Sequence, residues 1–412
     1  MSDFSLSSQS AALQVIQQAV VVLAKWAEAD SWLADNSFGD SNSKSTTEIV
    51  AKAQEILGWA EHQQLNCLQL VFDRVQLSHS HQQKPHFRPA WALNADAGAM
   101  KTPKISYARG DRPTNDDLEK LKEDIRTEVT HPNFQNLFNF QNLSQLTMFV
   151  EKFGSHLSFG ESDTGESDIA LIDLARSTAA IAAALAQQPP DDQVVLIAGD
   201  LMGVQKFIYT ISSDGALKSL RARSFYLEIA TEEIVYRLLQ LLNLPRTNII
   251  YAGASKFYIL APALSETDQL TIKALQEKFN DWLLGEFQKK VFLAIAIGKP
   301  FPVRDLVVTA TSESDTLLSQ HWRSLNDQLS AQATRKFDHT LAKILEPQPS
   351  HEPCKVCHRD DDTDRAPVNP LDPTSPDACP VCRQMFALGG KTVESRILAS
   401  HYSVSGRFGY SR

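Results

Sequence analysis

The sequence predicts an α+β fold in three regions, and three observations support it. Apolar residues recur at helical spacing through residues 1–190, short β-rich apolar runs alternate with helices through residues 191–305, and two Cys-x-x-Cys pairs lie in residues 306–412. Because 412 residues exceed the usual size of one domain, we expect domain boundaries near these limits. The predicted order is a helical N-terminal domain, a small mixed domain, and a helical linker with a cysteine-containing domain.

Composition and charge exclude several classes of protein. Hydrophobic residues make up 43% of the chain and charged residues 22%, which is typical of a globular protein with sizeable cores. A formal net charge of −9 argues against binding of nucleic acid over the whole surface, although it is compatible with a local basic face. No apolar stretch reaches the length of about 18 residues that spans a bilayer, and the N-terminal MSDFSLSSQS is not a signal peptide. We therefore predict a cytoplasmic protein with no membrane partner.

The N-terminal region is predicted to be helical. Residues 10–35 have helical periodicity, and a second helix is predicted to begin at Ser45, where a Ser-x-x-Glu motif forms a capping box. A third helix runs from Ser167, the predicted N-cap, to the stop at Pro189. Residues 78–117 are rich in His, Pro, Gly and Asp and are predicted to be loop.

The middle region changes to alternating strands and helices. The predicted elements are a strand at 194–199, a helix at 216–242, strands at 248–253 and 256–262, a helix at 267–288 and a strand at 291–298. A tight turn, Gly253-Ala254-Ser255, joins the second and third strands. This order, β-α-β-β-α-β, is the ferredoxin-like arrangement.

That arrangement serves several functions, so the residues must discriminate between them. A catalytic palm holds two metal ions on carboxylates at the end of the first strand and in the turn between the second and third. Asp200 supplies the first position, but the turn that ends at Lys256 contains no acid. We therefore expect this palm to be inactive by itself. A sheet that binds RNA would need aromatic residues on both central strands; Phe257 and Tyr258 lie on the third strand, the first strand has none, and core packing explains both rings better.

The two Cys-x-x-Cys pairs predict a structural zinc site. Its predicted ligands are Cys354, Cys357, Cys379 and Cys382. Four thiolates favour tetrahedral zinc without an open coordination position, which stabilises a fold but activates no water. A redox pair is disfavoured by the polar, proline-rich span between the pairs, and an iron–sulfur cluster would use the same ligands. The remaining Cys67 is predicted to be a small buried apolar residue, and the acidic run at 360–364 a solvated loop.

Several motifs carry a resemblance to a known family. Residues 199–208 (GDLMGVQKFI), 217–227 (LKSLRARSFYL) and 253–257 (GASKF), followed by a four-cysteine finger, resemble the first palm of the polymerase-like large subunit of type III CRISPR effectors. Residues 177–181 (STAAI) are similar to the end of that family's N-terminal domain. The resemblance covers residues 165–390.

The resemblance implies a subunit of an RNA-guided antiviral complex that contacts other effector subunits and, through them, guide RNA and target RNA. In the family, an HD nuclease precedes the first palm, and a second palm with a Gly-Gly-Asp-Asp turn follows the zinc-bearing domain. ATP, with Mg²⁺, binds between the palms, and the second palm makes cyclic oligoadenylates. This sequence has no His-Asp dipeptide and no Gly-Gly-Asp-Asp, and it ends at Arg412. We expect no nuclease activity, and metal binding by His62, His79, His81 and His86 is disfavoured.

Two hypotheses follow from these departures. The chain is a structural subunit with a non-catalytic palm that forms half of an ATP pocket at most, or it is half of a split cyclic oligoadenylate synthase completed by a second palm on another chain. A third interpretation is a free-standing zinc protein with a regulatory ferredoxin-like domain.

The candidate site residues follow from the same motifs. Those for nucleotide binding are Asp200, Gly203, Gln205, Lys206, Ser255 and Lys256. Arg221 and Arg223, near the start of the long palm helix, are the candidates for contact with nucleic-acid phosphates, and surface ion pairing is the equal alternative.

Overall fold

The structure is a computed structural model. It describes residues 2–35, 44–59, 64–74, 85–93, 107–160, 168–211, 216–307, 316–347 and 349–393. None of the helices in these ranges combines the length and the apolar character that crossing a bilayer requires.

The N-terminal region is a helical assembly with one small sheet. Its helices are α1 (Ser2–Trp26), α2 (Asp30–Asp35), α3 (Lys44–Ile56), α4 (Asn115–Thr130), α5 (Pro132–Leu137), α6 (Leu143–Gly154) and α7 (Leu171–Leu185). Strands β1 (Gln64–Cys67) and β2 (Leu157–Gly160) pair antiparallel. Helix α7 is buried over most of its length because its alanines let α1 pack closely against it. Between these two helices, the Ser8 hydroxyl donates to the Ala183 carbonyl at 2.9 Å.

Several predicted boundaries in this region were wrong. The predicted helix 10–35 is two helices, since α1 ends at Trp26 and Glu28 adopts φ 60° before α2 begins. Helix α3 begins at Lys44, so Ser45 lies inside the first turn instead of at the N-cap. Helix α7 has Ala170 as its N-cap with no side-chain capping bond, and the predicted cap, Ser167, lies outside the described residues. Local propensity sets such boundaries only loosely.

Other predictions about this region hold. The described parts of residues 78–117, which are 85–93 and 107–117, contain no helix before α4. Cys67 is buried, with 1% of its surface exposed, as expected for a small apolar residue. The β1–β2 pair was missed because each strand has only four residues and the two lie far apart in sequence.

The middle region contains a mixed assembly around one antiparallel sheet. Its elements are β3 (Gln193–Met202), α8 (Val204–Ile208), α9 (Ala216–Leu241), β4 (Ile249–Gly253), β5 (Lys256–Pro262), α10 (Glu266–Phe287), β6 (Phe292–Ile297) and β7 (Phe301–Pro302). The strand order is β4-β5-β3-β6, and the short β7 pairs with the start of β3. The first strand of this unit is therefore central, between the third and the fourth.

Both faces of the central strand β3 are buried. Alternate residues of β3, such as Leu196 and Ile197, belong to two different cores: one formed with the N-terminal helices and the C-terminal helix α11 (Leu317–Gln332), the other with α9 and α10. Phe257 is fully buried, and Tyr258 stacks on Trp322 with ring centroids 4.4 Å apart. Core packing thus accounts for both aromatics, and neither face of β3 is open for stacking of RNA bases, while the edge strand β4 is partly exposed.

Residues 338–393 form the last region. It contains α12 (Leu341–Leu345), the two-residue strands β8 (Ala366–Pro367) and β9 (Asp377–Ala378), and α13 (Pro380–Val393). Helix α13 packs so closely on α9 that a Cβ atom at Gly389 would lie 1.9 Å from the Lys218 carbonyl oxygen. The four cysteines lie in a small core of their own with Val356, Val368 and Phe386. The long helix of the middle region therefore carries the cysteine-containing unit.

Candidate functional site

The four predicted cysteines meet in the interior. Their sulfur atoms all lie within 4.8 Å of one another, and none of the four forms a disulfide. The Sγ atoms of Cys357 and Cys379 are 3.7 Å apart. A tetrahedron with metal–sulfur bonds of about 2.3 Å has edges of about 3.8 Å. The donor set therefore fits one tetrahedrally bound metal ion and leaves no room for a coordinated water.

Two loops that bond to each other position these sulfurs. Cys354 and Cys357 lie in a tight turn before β8, while Cys379 and Cys382 lie at the start of α13. The Lys355 amide donates to the Asp377 carbonyl at 3.0 Å, which ties the first loop to the second. The amides of Cys357 and Cys379 donate to Cys354 Sγ at 3.5 and 3.3 Å. Backbone N–H groups directed at sulfur stabilise the thiolate that a metal requires.

The thiols also act on one another. Hydrogen bonds from the thiols of Cys357, Cys379 and Cys382 lower the pKa of Cys354, although burial opposes the shift. Four thiols packed this closely could share one metal ion as thiolates. Within the described residues, these cysteines are the one group of three or more potential metal ligands.

Arg223 is part of this centre, which contradicts its predicted contact with nucleic acid. Only 2% of the surface of Arg223 is exposed. One guanidinium nitrogen donates to Cys382 Sγ at 3.4 Å and another to the Phe207 carbonyl at 2.9 Å. The sequence contained a signal for this, since Arg223 continues the buried stripe of α9 formed by Leu227 and Ala230. Arg221 is exposed, and its contact with phosphate stays a prediction.

The second candidate site lies where β3 meets the β4–β5 turn. Asp200 pairs with Lys256 across the two strands, and their charged atoms are 3.7 Å apart. Burial raises the pKa of Asp200, while the positive charge of Lys256 lowers it. The turn adds a buried Ser255, whose carbonyl accepts the Leu201 amide at 2.9 Å. The structure therefore brings three of the predicted nucleotide-binding residues together, with a lysine where a second carboxylate would be needed for a metal pair.

The loop after β3 holds the other three candidates. Gly203 adopts φ +86°, and a Cβ atom there would lie 1.9 Å from the Lys290 carbonyl oxygen. Close packing thus accounts for this glycine without a nucleotide. Gln205 and Lys206 lie in the short helix α8 with exposed side chains.

Sequence reasoning missed Glu228. Its carboxylate accepts the Ala254 amide at 3.3 Å, so α9 places an acid against the turn that has none of its own. Glu228 and Ala254 are 26 positions apart in the sequence, so no local pattern indicates this pairing.

Carboxylates of the acidic loop, and the one described histidine of the predicted four, bond to neighbouring side chains. Asp361 pairs with Arg359, and Asp364 pairs with Arg383 at 2.6 Å. His86 bonds to Asp73, with Nδ1 and Oδ1 3.0 Å apart. His62, His79 and His81 lie outside the described residues.

Comparison with known proteins finds a family model that matches the middle of the chain. Residues 193–350 match the family model described as Csm1 subunit domain B. A single-strand-specific deoxyribonuclease Cas10/Csm1 of subtype III-A from Mycobacterium tuberculosis is 34% identical over 199 residues, which cover 46% of this chain and 24% of that protein. Its counterpart from Thermococcus onnurineus is 26% identical over 369 residues, which cover 83% of this chain and 45% of the relative. The chain thus spans less than half of these relatives.

Solved structures show the same fold. A Csm1–Csm4 cassette in complex with one ATP superimposes with a TM-score of 0.61 at 19% identity, covering 82% of this chain and 50% of that chain. A Csm1–Csm4 cassette in complex with cA4 superimposes with a TM-score of 0.53 at 22% identity. This match covers 75% of this chain and 41% of that chain.

These matches confirm the resemblance stated from the motifs. The chain is related to the large subunit of type III CRISPR complexes. The similarity to the Csm1 subunit is to its domain B, over residues 193–350.

Proposed function

We propose that this chain is a subunit of an RNA-guided type III CRISPR antiviral complex, in which it acts as a scaffold with a non-catalytic palm. The match of residues 193–350 to Csm1 domain B is the observation that carries this proposal. The crystal structures of similar fold contain Csm1 together with Csm4, which supports other effector subunits as partners here. Guide RNA and target RNA are then contacted through the assembled complex.

The sheet of β3 to β6 is, in this proposal, a ferredoxin-like first palm. The element order β-α-β-β-α-β and the central position of β3 support it. The domain boundaries near 190 and 305 belong to the same proposal. The N-terminal helices and the palm share one core across the first boundary, so we expect them to move together.

The turn at Asp200 is proposed to form half of a nucleotide pocket. Asp200, Ser255 and Lys256 are adjacent, while Lys206 lies exposed on the following loop. One Csm1 structure of similar fold contains ATP, which supports a nucleotide as the ligand. A lone carboxylate paired with a lysine is a poor site for two metal ions, so catalysis and its Mg²⁺ are assigned to a partner palm.

The four cysteines are proposed to hold structural zinc. The 3.7 Å sulfur–sulfur edge, the burial of all four residues and the amide bonds to sulfur support a closed tetrahedral site. Bound zinc would supply folding energy to a region that otherwise has only a small apolar core.

A second candidate function is half of a split cyclic oligoadenylate synthase. The structures of Csm1–Csm4 in complex with cA3 and cA4 favour it, since these are cyclic products bound to proteins of similar fold. In this version Lys256 and Ser255 contact a nucleotide that a second palm on another chain converts.

Two experiments separate these proposals. Affinity purification of the tagged chain from its native host should recover effector subunits and a guide RNA, and recovery without RNA would show that the CRISPR assignment is wrong. The purified complex is then incubated with target RNA, Mg²⁺ and ATP. Cyclic oligoadenylate in the wild-type complex that disappears with Lys256→Met supports the split synthase, whereas no product in the full complex rejects it.

A further inference from the structure

Arg223 is a buried cation without a carboxylate partner among the described residues. Its guanidinium lies 4.7 Å from the centroid of the Phe207 ring and bonds to the carbonyl of the same residue. The remaining nitrogen of the side chain, Nε, is buried and has no hydrogen-bond partner within the described part of the chain. The other bonded partner is the sulfur of Cys382. The cysteine cluster is thus the available source of negative charge.

A negatively charged neighbour would stabilise Arg223 in this environment. An arginine stays protonated when it is buried, and an unpaired buried charge is strongly destabilising. Four thiolates around one divalent cation have a net charge of −2, so Arg223 neutralises part of that charge. Four neutral thiols would leave Arg223 unpaired. The arginine and the bound metal therefore stabilise each other.

The same arginine also reaches the loop after β3. Its bond to the Phe207 carbonyl fixes α8, the short helix that follows Gly203. A second bridge comes from Lys290, whose ammonium donates to the Cys357 carbonyl and whose own carbonyl packs against Gly203. Both ends of the segment 203–208 therefore contact groups that are bonded to the cysteine loops.

We propose that the metal centre positions the segment 203–208 through Arg223, which acts as the counter-ion of the thiolates and as the link to Phe207. The inference rests on the proposed zinc site. When zinc leaves, Cys382 is no longer held in place beside Arg223, the link from Cys382 through Arg223 to Phe207 weakens, and the segment beside Asp200 is released. Arg223 is a positioning residue, so its removal should weaken metal binding and loosen the segment together.

The test uses the full chain with Arg223→Met, which keeps much of the side-chain volume but removes the charge. Zinc per chain is measured by mass spectrometry of the metal, and zinc release to a chelator is followed by absorbance. Outer-shell partners of a metal typically change its affinity by about 10- to 100-fold, so we expect release at least about tenfold faster. Arg237→Met is the matched control, since Arg237 lies on the same helix but pairs with Glu233. Its release rate should equal that of the wild type.

Hydrogen exchange of the segment gives a second measurement, which does not depend on the variant folding well. Zinc removal from the wild type should speed amide exchange at 207–210, whose N–H groups bond within this loop, while the central strand residues 195–198 stay protected. Arg223→Met should show the same local increase with zinc present. Unchanged exchange after zinc removal, or unchanged zinc release in Arg223→Met, would overturn the inference. A wild-type chain purified without zinc would overturn the proposed zinc site as well, whereas normal zinc content with an unaffected variant overturns the role of Arg223 alone.

Discussion

The cysteine cluster and the Asp200 turn differ in how completely this chain builds them. The cluster brings four ligands of one chemical kind into a buried core, with amide donors and one arginine around them. The turn has one carboxylate, a lysine opposite, and exposed side chains at Lys206 and Lys256. A metal inside the cluster satisfies its coordination within this chain. The turn instead buries Ser255 and leaves the Lys256 side chain exposed to solvent.

The largest effect is expected from a substitution that removes one of the four cysteine ligands. Cys354→Ser removes the sulfur that accepts both amide bonds. Metal binding contributes about 10–16 kcal/mol to folding in zinc-finger peptides, so we expect zinc content to fall to zero and residues 349–393 to become sensitive to protease. The control is Cys67→Ala, which is also buried but far from the cluster; it should keep its zinc. Full metal content in Cys354→Ser would show that the cluster is not a four-ligand site.

The next largest effect is expected from a substitution in the packed strands that support the Asp200 turn. A Cβ atom at Gly199 would lie 1.9 Å from the ring of Phe257, which is fully buried. Overpacking of a core costs about 1–3 kcal/mol, so Gly199→Ala should lower the free energy of unfolding by at least that amount in a denaturant titration. Gly285→Ala, in α10, has open space around the added methyl group and should be neutral or stabilising by up to about 1 kcal/mol. Equal stability of the two variants would mean that β3 and β5 are less closely packed than described.

A smaller effect is expected at the exposed edge of the sheet. The Gln332 side chain bonds to both the amide and the carbonyl of Ile295 on β6, in the manner of a neighbouring strand. Gln332→Leu should destabilise the protein by about 1–3 kcal/mol, because it leaves backbone groups of β6 without partners. Gln320→Leu, at an exposed position of the same helix, is the control and should change stability by less than about 0.5 kcal/mol. A similar loss in both variants would point to a helix effect instead.

The two regions also differ in how far the sequence predicts them. The four metal ligands follow from spacing alone, because Cys-x-x-Cys places two sulfurs in one turn wherever it occurs. The predicted strands and long helices of the middle region end within three residues of the observed ones, because their apolar patterns are periodic. Arg223 was misassigned, since a charged residue is taken as exposed unless its helical stripe is examined. Glu228 was missed because only the tertiary fold brings α9 to the β4–β5 turn. Contacts between distant segments, unlike ligand spacing, have no local signature.

The smallest expected effect concerns the charge of Asp200. Burial raises its pKa above the ordinary 3.8, and Lys256 offsets part of that shift. The folded state therefore binds this proton more tightly than the unfolded chain, so the stability it contributes is present below pH 3.8 and is lost as the pH rises through the raised value. Asp200→Asn does not ionise. It should exceed the wild type in stability at pH 7 by no more than about 1 kcal/mol, and the difference should disappear near pH 3.

Thermal midpoints of both proteins between pH 3 and 8 measure this difference. Lys256→Met sharpens the test, because removing the lysine leaves burial unopposed and should raise the pKa of Asp200 further. The pH dependence of Lys256→Met should then extend to higher pH than that of the wild type. If Asp200→Asn is instead less stable at pH 7, the ion pair outweighs burial and the turn is a stabilising element of the palm. If Asp200→Asn is the more stable protein at pH 7, the ionised Asp200 lowers stability, which is expected of a residue that serves binding.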